Sequence, residues 1–227
     1  MSANDADLIS VMEGRIATYS LLSRLYFKEV DEAFLDEMCA MRFAANTGST
    51  EIDEANRLFH GYLCGRWERT LTELAVDYAR VFLGNGVNAY SAAYPFESVH
   101  TSSKRLLMQD ARDEIRAIYH ANGITKLDSW REGEDHIALE LEFEQILATR
   151  SLEALKAGNE DEAANLLMTQ YNFLCDHLLA WAPMLNTEMQ KFAQTDFYRA
   201  LGKLTIGFLR VEKELLEELL ADELASH

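Results

Sequence analysis

Carboxylate side chains crowd one stretch of the chain, where they could bind a cation or a basic ligand. The stretch begins with Glu132-Gly133-Glu134-Asp135-His136 and continues with Glu140, Glu142 and Glu144. On a helix, Glu140 and Glu144 stand four residues apart and repel each other by ~0.2–0.5 kcal/mol, which a docked cation would relieve. The alternative is structural, since Asp135 at the start of a helix can cap it and acids in a first turn complement the helix dipole. The residues alone leave both interpretations open.

Aromatic residues flank a glycine-rich segment earlier in the chain, which runs from Gly84 to Pro95. They are Tyr78, Phe82, Tyr90, Tyr94 and Phe96. Tyr78 and Phe82 share one helix face, with Val81 nearby. Such a cluster either packs in the core or walls an apolar pocket. A pocket of this kind beside an acidic rim suits a peptide in which arginines adjoin bulky hydrophobic residues.

Other patterns with chemical meaning are incomplete. Residues 84–89 fit the G-x-G-x-x-[GA] dinucleotide pattern in form, but a helical segment precedes them where the motif requires a strand. The pairs His60–Cys64 and His136–Glu140 have helix-compatible ligand spacing, yet two ligands do not close a metal site. The cysteines form no CxxC pair and are predicted to be small buried hydrophobes in a reducing compartment; they are Cys39, Cys64 and Cys175. The sequence therefore predicts no metal site and no catalytic residue.

The elements that must position these residues are helices. Proline is scarce, alanine, leucine and glutamate abound, and apolar residues recur at helical spacing without strand-like alternation. The prediction is an all-α bundle of about nine or more helices. Pro183 is expected to end one helix and Thr195 to cap the last one, in which Gly202 and Gly207 indicate close helix packing.

Breaks in the helical pattern predict the domain organisation. Residues 121–134 join two long predicted helices, about Val99 to His120 and about His136 to Lys156, and carry Gly123 and Gly133 without a proline. We therefore predict an N-terminal helical subdomain over residues 1–120, a hinge over 121–134 and a C-terminal subdomain over 135–227, together forming one domain.

Charge and hydropathy exclude several classes of protein. The 227 residues include 21 Lys and Arg against 38 Asp and Glu, a net charge of −17. Phosphate contacts need a basic surface, so a nucleic-acid binder is disfavoured, as is docking on anionic lipid. No apolar run approaches the ~18 residues of a membrane span, and the first residues do not resemble a secretory signal. The expectation is a cytoplasmic protein without membrane insertion.

Taken together, the motifs resemble the TorD/DmsD/NarJ family of redox-enzyme maturation chaperones. The resemblance rests on Tyr78-x-x-x-Phe82-x-Gly84, Tyr94-Pro95-x-Glu97-Ser98-Val99, Glu132-x-Glu134-Asp135-His136 and the late stretch from Phe197 to Gly202. It spans roughly Leu8 to Val211. Two positions depart from the family: Gly133 stands where many members have proline, and Tyr78 where some have tryptophan.

The resemblance implies a cytoplasmic helical chaperone of anaerobic respiration. Such proteins bind the twin-arginine signal peptide of a molybdopterin oxidoreductase, of the dimethyl sulfoxide or trimethylamine N-oxide reductase type, and delay its export until the cofactor is inserted. The implied partners are therefore that peptide and the catalytic subunit. The implied peptide-binding residues are Tyr78, Val81, Phe82, Tyr94, Pro95, Glu97, Ser98, Glu132, Glu134, Asp135 and His136. No cofactor is implied beyond weak guanine nucleotide binding, and the monomer is expected to form some domain-swapped dimer.

The sequence thus predicts a peptide-binding chaperone and not an enzyme. Two alternatives remain: a helical nucleotide hydrolase that uses the acidic stretch for Mg²⁺, and an adaptor that binds a folded partner. The client enzyme is not identified by the sequence.

Overall fold

The computed structural model describes residues 3–84, 91–102 and 110–221, and most of these residues are helical. Within these ranges there are ten α-helices and two π-helical segments, and the β-structure is limited to one isolated bridge. The helices are α1 (Ala3–Phe27), α2 (Glu32–Ala40), α3 (Thr50–Cys64), α4 (Thr70–Tyr78), α5 (Glu97–Thr101), α6 (Asp110–Ala121), α7 (Ile137–Lys156), α8 (Glu160–Phe173), α9 (Leu179–Phe192) and α10 (Asp196–Leu219). The π-helical segments are Ala79–Leu83 and Leu174–Leu178. The prediction of an all-α bundle is confirmed.

Small polar residues begin many of these helices. The side chain of Asp31 accepts from the Phe34 N–H at the start of α2, and Ser49 and Asn159 do the same for α3 and α8. Thr195 caps α10 by accepting from the Tyr198 N–H at 3.4 Å, as the sequence predicts. Each cap satisfies a backbone donor that the first turn leaves without a partner.

The core unites helices from both ends of the chain. Helix α1 packs along α7, and α3 packs along α10. The largest fully buried side chains include Trp181, Tyr19, Tyr26 and Phe143. A buried ion pair joins the ends further, since Arg15 on α1 donates to Glu212 on α10 at 2.8 Å. The division into residues 1–120 and 135–227 stays a prediction.

Two glycines of α10 allow close approach, as expected. A Cβ at Gly207 would lie 2.8 Å from the Cγ1 of Ile52 on α3, and one at Gly202 would lie 2.5 Å from Oδ1 of Asn186 on α9. At Gly207 the Ile52 backbone nitrogen would also lie only 3.0 Å away, so a larger residue there would push α10 and α3 apart. At Gly202 the Asn186 side chain would have to move.

Three local expectations were wrong or lie partly outside the described residues. Pro183 does not end a helix but lies in the second turn of α9, which continues from the π-helical segment Leu174–Leu178. The long helix expected from Val99 to His120 is instead α5 and α6, and residues 103–109 between them are outside the description. The glycine-rich segment starts as predicted at Gly84, where φ is +64°, but residues 85–90, including Tyr90, are also outside it.

Candidate functional site

The two sequence motifs meet in the fold at a place that we call the motif junction (residues 94–98 and 132–137). The chain before α5 pairs with the chain before α7 through an antiparallel bridge between Phe96 and His136. The Ile137 N–H donates to the Pro95 carbonyl at 3.0 Å, and the Glu97 N–H donates to the Asp135 carbonyl at 2.9 Å. Two stretches that are distant in sequence thus form one structural unit.

Asp135 and His136 each cap a helix. Asp135 is fully buried, and its Oδ2 accepts from the Ser98 N–H in the first turn of α5 at 3.0 Å. His136 is the N-cap of α7, where its Nδ1 accepts from the Ala138 N–H at 3.1 Å. The interpretation of Asp135 as the cap of the following helix is therefore wrong. The extended backbone at His136 places the imidazole over α7 and leaves Asp135 facing α5.

His136 carries no charge at neutral pH. Burial lowers its pKa to about 3. Because Nδ1 accepts a hydrogen bond, the ring proton is assigned to Nε2. The ring packs edge-on against Phe96 and Trp130, with centroid distances of 4.9 and 5.2 Å. His136 therefore acts as packing support for Trp130 in this arrangement.

Glu134 is paired with two cations. Its Oε2 accepts from Nε of Arg112 at 2.6 Å, and its Oε1 lies 3.4 Å from Nζ of Lys126. Burial opposes ionisation, but the hydrogen bond from Arg112 and the charge of Lys126 outweigh it and lower the pKa of Glu134. Within the stretch from 132 to 136, Glu132 is left as the exposed acid.

Buried acids lie behind the motif junction. The Trp181 Nε1–H donates to Oε2 of Glu140 at 3.0 Å, and Glu97 lies 3.0 Å from Nδ1 of His177. Burial, and after it the nearby charge of Glu97, raise the pKa of Glu140 well above its usual range. Burial also raises the pKa of Glu144. A raised pKa favours the neutral form of both acids, so the repulsion between Glu140 and Glu144 is relieved without a docked cation.

The aromatic residues predicted to wall a pocket lie mostly in the core. Tyr78 is 7% exposed, Val81 is fully buried and Phe82 is 2% exposed. The Tyr78 hydroxyl donates to the Tyr26 carbonyl at 3.0 Å. Ser98, Pro95 and Glu97 are buried as well, whereas Tyr94 is half-buried. Their assignment to peptide binding stays a prediction, and none of them lines the open surface at Phe27 and Trp130.

That surface is an open cavity of about 380 Å³ between α1, the 121–134 segment and α7, which we call the linker pocket. One wall is Trp130 stacked on Phe27, with ring centroids 4.9 Å apart. Leu127, with 75% of its surface exposed, stands at the rim. Leu139, Phe143 and Ile146 of α7 complete the apolar lining. Through Trp130 the linker pocket is in direct contact with His136 of the motif junction.

The charges around the linker pocket favour a basic ligand. Its two cations are already paired, since Arg24 donates to Asp31 at 2.9 Å and Lys126 contacts Glu134. By contrast, the exposed carboxylates of Glu132 and Glu142 form no hydrogen bond or ion pair with any other described residue. Glu132 also acts on Tyr78, whose pKa is raised to about 12 by burial first and by nearby acids second.

Sequence reasoning missed the residues that form this pocket. Phe27, Leu127 and Trp130 were not among the predicted site residues. A signal did exist, because Ile124, Leu127 and Trp130 are large apolar residues in a mostly polar connection. Their partner Phe27 lies about a hundred positions earlier, and only the packing of α1 against α7 brings it to them.

Comparison with known proteins places the chain in a family. Residues 46–187, more than half of the chain, match the family described as nitrate reductase delta subunit. The chain belongs to this family. It is also 28% identical over 219 residues to the chaperone protein TorD of Vibrio cholerae serotype O1, covering 91% of this chain and 94% of the relative. TorD of Aliivibrio salmonicida is 28% identical over 219 residues, covering 92% and 98%.

The predicted resemblance is confirmed, and with it the class of function. The chain is a redox-enzyme maturation chaperone of the TorD and NarJ type, and a chaperone is not an enzyme. No helix in the described ranges is both long and apolar enough to cross a membrane. In those same ranges, no group of three or more His, Cys, Asp or Glu side chains is arranged to hold a metal ion.

Proposed function

We propose that this chaperone binds the twin-arginine signal peptide of a molybdoenzyme catalytic subunit in the cytoplasm and delays export until the cofactor is inserted. The observation that carries the proposal is the linker pocket, an apolar cavity lined by the unpaired carboxylate of Glu142. Glu132, the second unpaired acid, is linked to the pocket through its backbone carbonyl, which accepts from Lys126 at 2.6 Å. A twin-arginine leader has the complementary chemistry, an arginine pair followed by an apolar stretch.

The two halves of such a peptide need different contacts. Burial of a hydrophobic side chain against Trp130, Phe27 and Leu127 yields roughly 25 cal/mol for each Å² removed from water. Guanidinium groups form strong charge-assisted hydrogen bonds to carboxylates, and Glu132 and Glu142 are exposed and available for them. The chain's net charge of −17 speeds the encounter with a basic peptide.

The eleven predicted site residues then have two roles. Glu132 would contact the peptide directly, and half-buried Tyr94 has surface to do so. Of the buried remainder, Glu134, Asp135 and His136 would fix the course of residues 129–137 and so the position of Trp130. This division follows from their burial and their hydrogen bonds within the protein.

Peptide binding tests the proposal directly. A labelled peptide that carries the twin-arginine motif and its apolar stretch should bind with micromolar or tighter affinity, ~8 kcal/mol or more, in fluorescence anisotropy. The matched control replaces both arginines with glutamine and should bind clearly more weakly. Equal affinity for the two peptides would contradict the proposed specificity.

The client subunit provides a second test. If the chaperone recognises the leader, a catalytic subunit produced with its leader should be retained on immobilised chaperone, and the leaderless subunit should not. Equal retention of both forms would favour the alternative of an adaptor that binds a folded partner.

Two further properties are proposed from the resemblance alone. Guanine nucleotide would bind weakly, and calorimetric titration with guanosine triphosphate measures it. The main species would be a monomer with a minor domain-swapped dimer, which size-exclusion chromatography of isolated, diluted dimer would show as slow reversion to monomer.

A further inference from the structure

A second pocket, about 350 Å³ in volume, lies where the last turn of α2 meets the C-terminal end of α3. Two cysteines from different helices line it, Cys39 on α2 and Cys64 on α3, together with His60 and Arg42. It shares no lining residue with the linker pocket. The prediction that all three cysteines are buried hydrophobes is wrong here, because Cys64 is exposed and Cys39 is only half-buried.

Both sulfur atoms have polar neighbours. The Sγ of Cys64 lies 3.4 Å from Nδ1 of His60, one helical turn earlier. The Sγ of Cys39 accepts from a guanidinium N–H of Arg66 at 3.2 Å, and Arg66 also pairs with Asp36 at 2.9 Å. Because Arg66 follows Cys64 by two residues, its contact with Cys39 shows that the ends of α2 and α3 lie side by side.

This environment gives a reactant access to the Cys64 sulfur and places the His60 ring beside it. The thiolate is the nucleophile, and neighbouring basic groups and solvent access favour its reaction. Cys175 provides the contrast within the same chain. It is half-buried, and burial raises the pKa of its thiol.

We propose that Cys64 and Cys39 form a peroxide-sensitive thiol pair, in which Cys64 is oxidised first and Cys39 resolves the product. The Cys64 thiolate attacks one oxygen of a hydroperoxide, and the O–O bond breaks. After protonation the products are Cys64 sulfenic acid and an alcohol, or water when the oxidant is hydrogen peroxide. The Cys39 thiolate then attacks the Cys64 sulfur, forming the disulfide and releasing hydroxide, which is protonated to water. The two thiols are oxidised by two electrons in total and the peroxide is reduced.

The test uses the full chain, reduced, freed of reductant and treated with hydrogen peroxide near neutral pH. Peptide mass spectrometry should find a disulfide between Cys39 and Cys64, with the loss of two hydrogen atoms, while Cys175 stays alkylatable. In Cys39→Ala the disulfide is lost and dimedone should trap Cys64 as the sulfenic acid. Cys175→Ala is the matched control and should keep the disulfide.

Three results would overturn the proposal. One is oxidation of Cys175 as fast as that of Cys64. Another is wild-type protein that accumulates Cys64 sulfenic acid without the disulfide, which would show that Cys39 does not resolve it. The last is a Cys39→Ala protein, shown to be folded by circular dichroism, in which dimedone traps nothing at Cys64.

Discussion

The motif junction and the linker pocket touch through Trp130 and His136, yet their carboxylates differ. Most acids of the junction are buried, whereas the acid that lines the pocket is exposed. Three carboxylates of the junction and the core behind it have partners or a shifted pKa: Asp135 caps α5, Glu134 binds Arg112, and burial raises the pKa of Glu140 well above its usual range. By contrast, the carboxylates of Glu142, which lines the pocket, and of Glu132, the exposed acid of the junction, have no partner among the described residues. The contrast teaches that the acidic stretch of the sequence has two parts: its buried acids build the site, whereas its exposed acids, Glu132 and Glu142, are free to bind a ligand.

The largest expected effect tests whether Phe82 belongs to the core. Phe82→Ala removes a ring that packs edge-on against Tyr26 and Tyr198. It should lower the free energy of unfolding by ~3–5 kcal/mol in urea denaturation. Leu83→Ala, at the adjacent and exposed position, is the control and should lose little. If Phe82→Ala instead keeps its stability and loses peptide affinity, the ring would belong to the binding surface.

Glu140→Gln sharpens the comparison through pH. The pKa of Glu140 is higher in the folded state than in the unfolded state. The contribution of protonated Glu140 to stability is therefore complete below its unfolded-state pKa and is lost as pH rises toward its folded-state pKa. The loss is up to about 1.4 kcal/mol per pH unit in that window. Glutamine carries no such charge and can still accept from Trp181. We expect the free energy of unfolding of the variant, relative to wild type, to increase between pH 5 and pH 8, roughly the window above the usual pKa of Glu. A difference that does not change with pH would refute this.

Trp130→Ala tests the apolar wall of the linker pocket. Trp130 is half-buried, and we expect peptide affinity to fall about tenfold, or ~1.4 kcal/mol. The control is Trp67→Ala, since Trp67 is exposed at a separate surface. Equal losses of affinity in the two variants would place the peptide elsewhere.

The smallest effect comes from Glu142→Gln, two residues from Glu140 on the same helix. Because Glu142 is exposed, the substitution should leave unfolding unchanged and weaken the twin-arginine peptide about threefold at low salt. The difference should shrink as salt screens the charge. A stability change in this variant, or an affinity change in Glu140→Gln, would break the distinction between the two regions.

Much of the fold was predictable because helix formation is local. Apolar spacing, the Thr195 cap and the close-packing glycines of α10 are properties of a few neighbouring residues. The position of Pro183 inside a helix was not predicted. The π-helical segment Leu174–Leu178, from which α9 continues, cannot be recognised from the spacing of apolar residues. The motifs themselves also identified the family correctly.

The sequence by itself determined the helical class, the acidic charge and the family, since each depends on residue types and short-range order. Only the tertiary structure decided what each carboxylate does. Whether Asp135, Glu140 or Glu142 is a cap, a protonated core group or an exposed charge depends on which helix lies opposite and how much water remains. The pairing of segments 94–98 and 132–137, and of α1 with α7, settles that question, because burial sets both the ionisation of an acid and its access to a ligand.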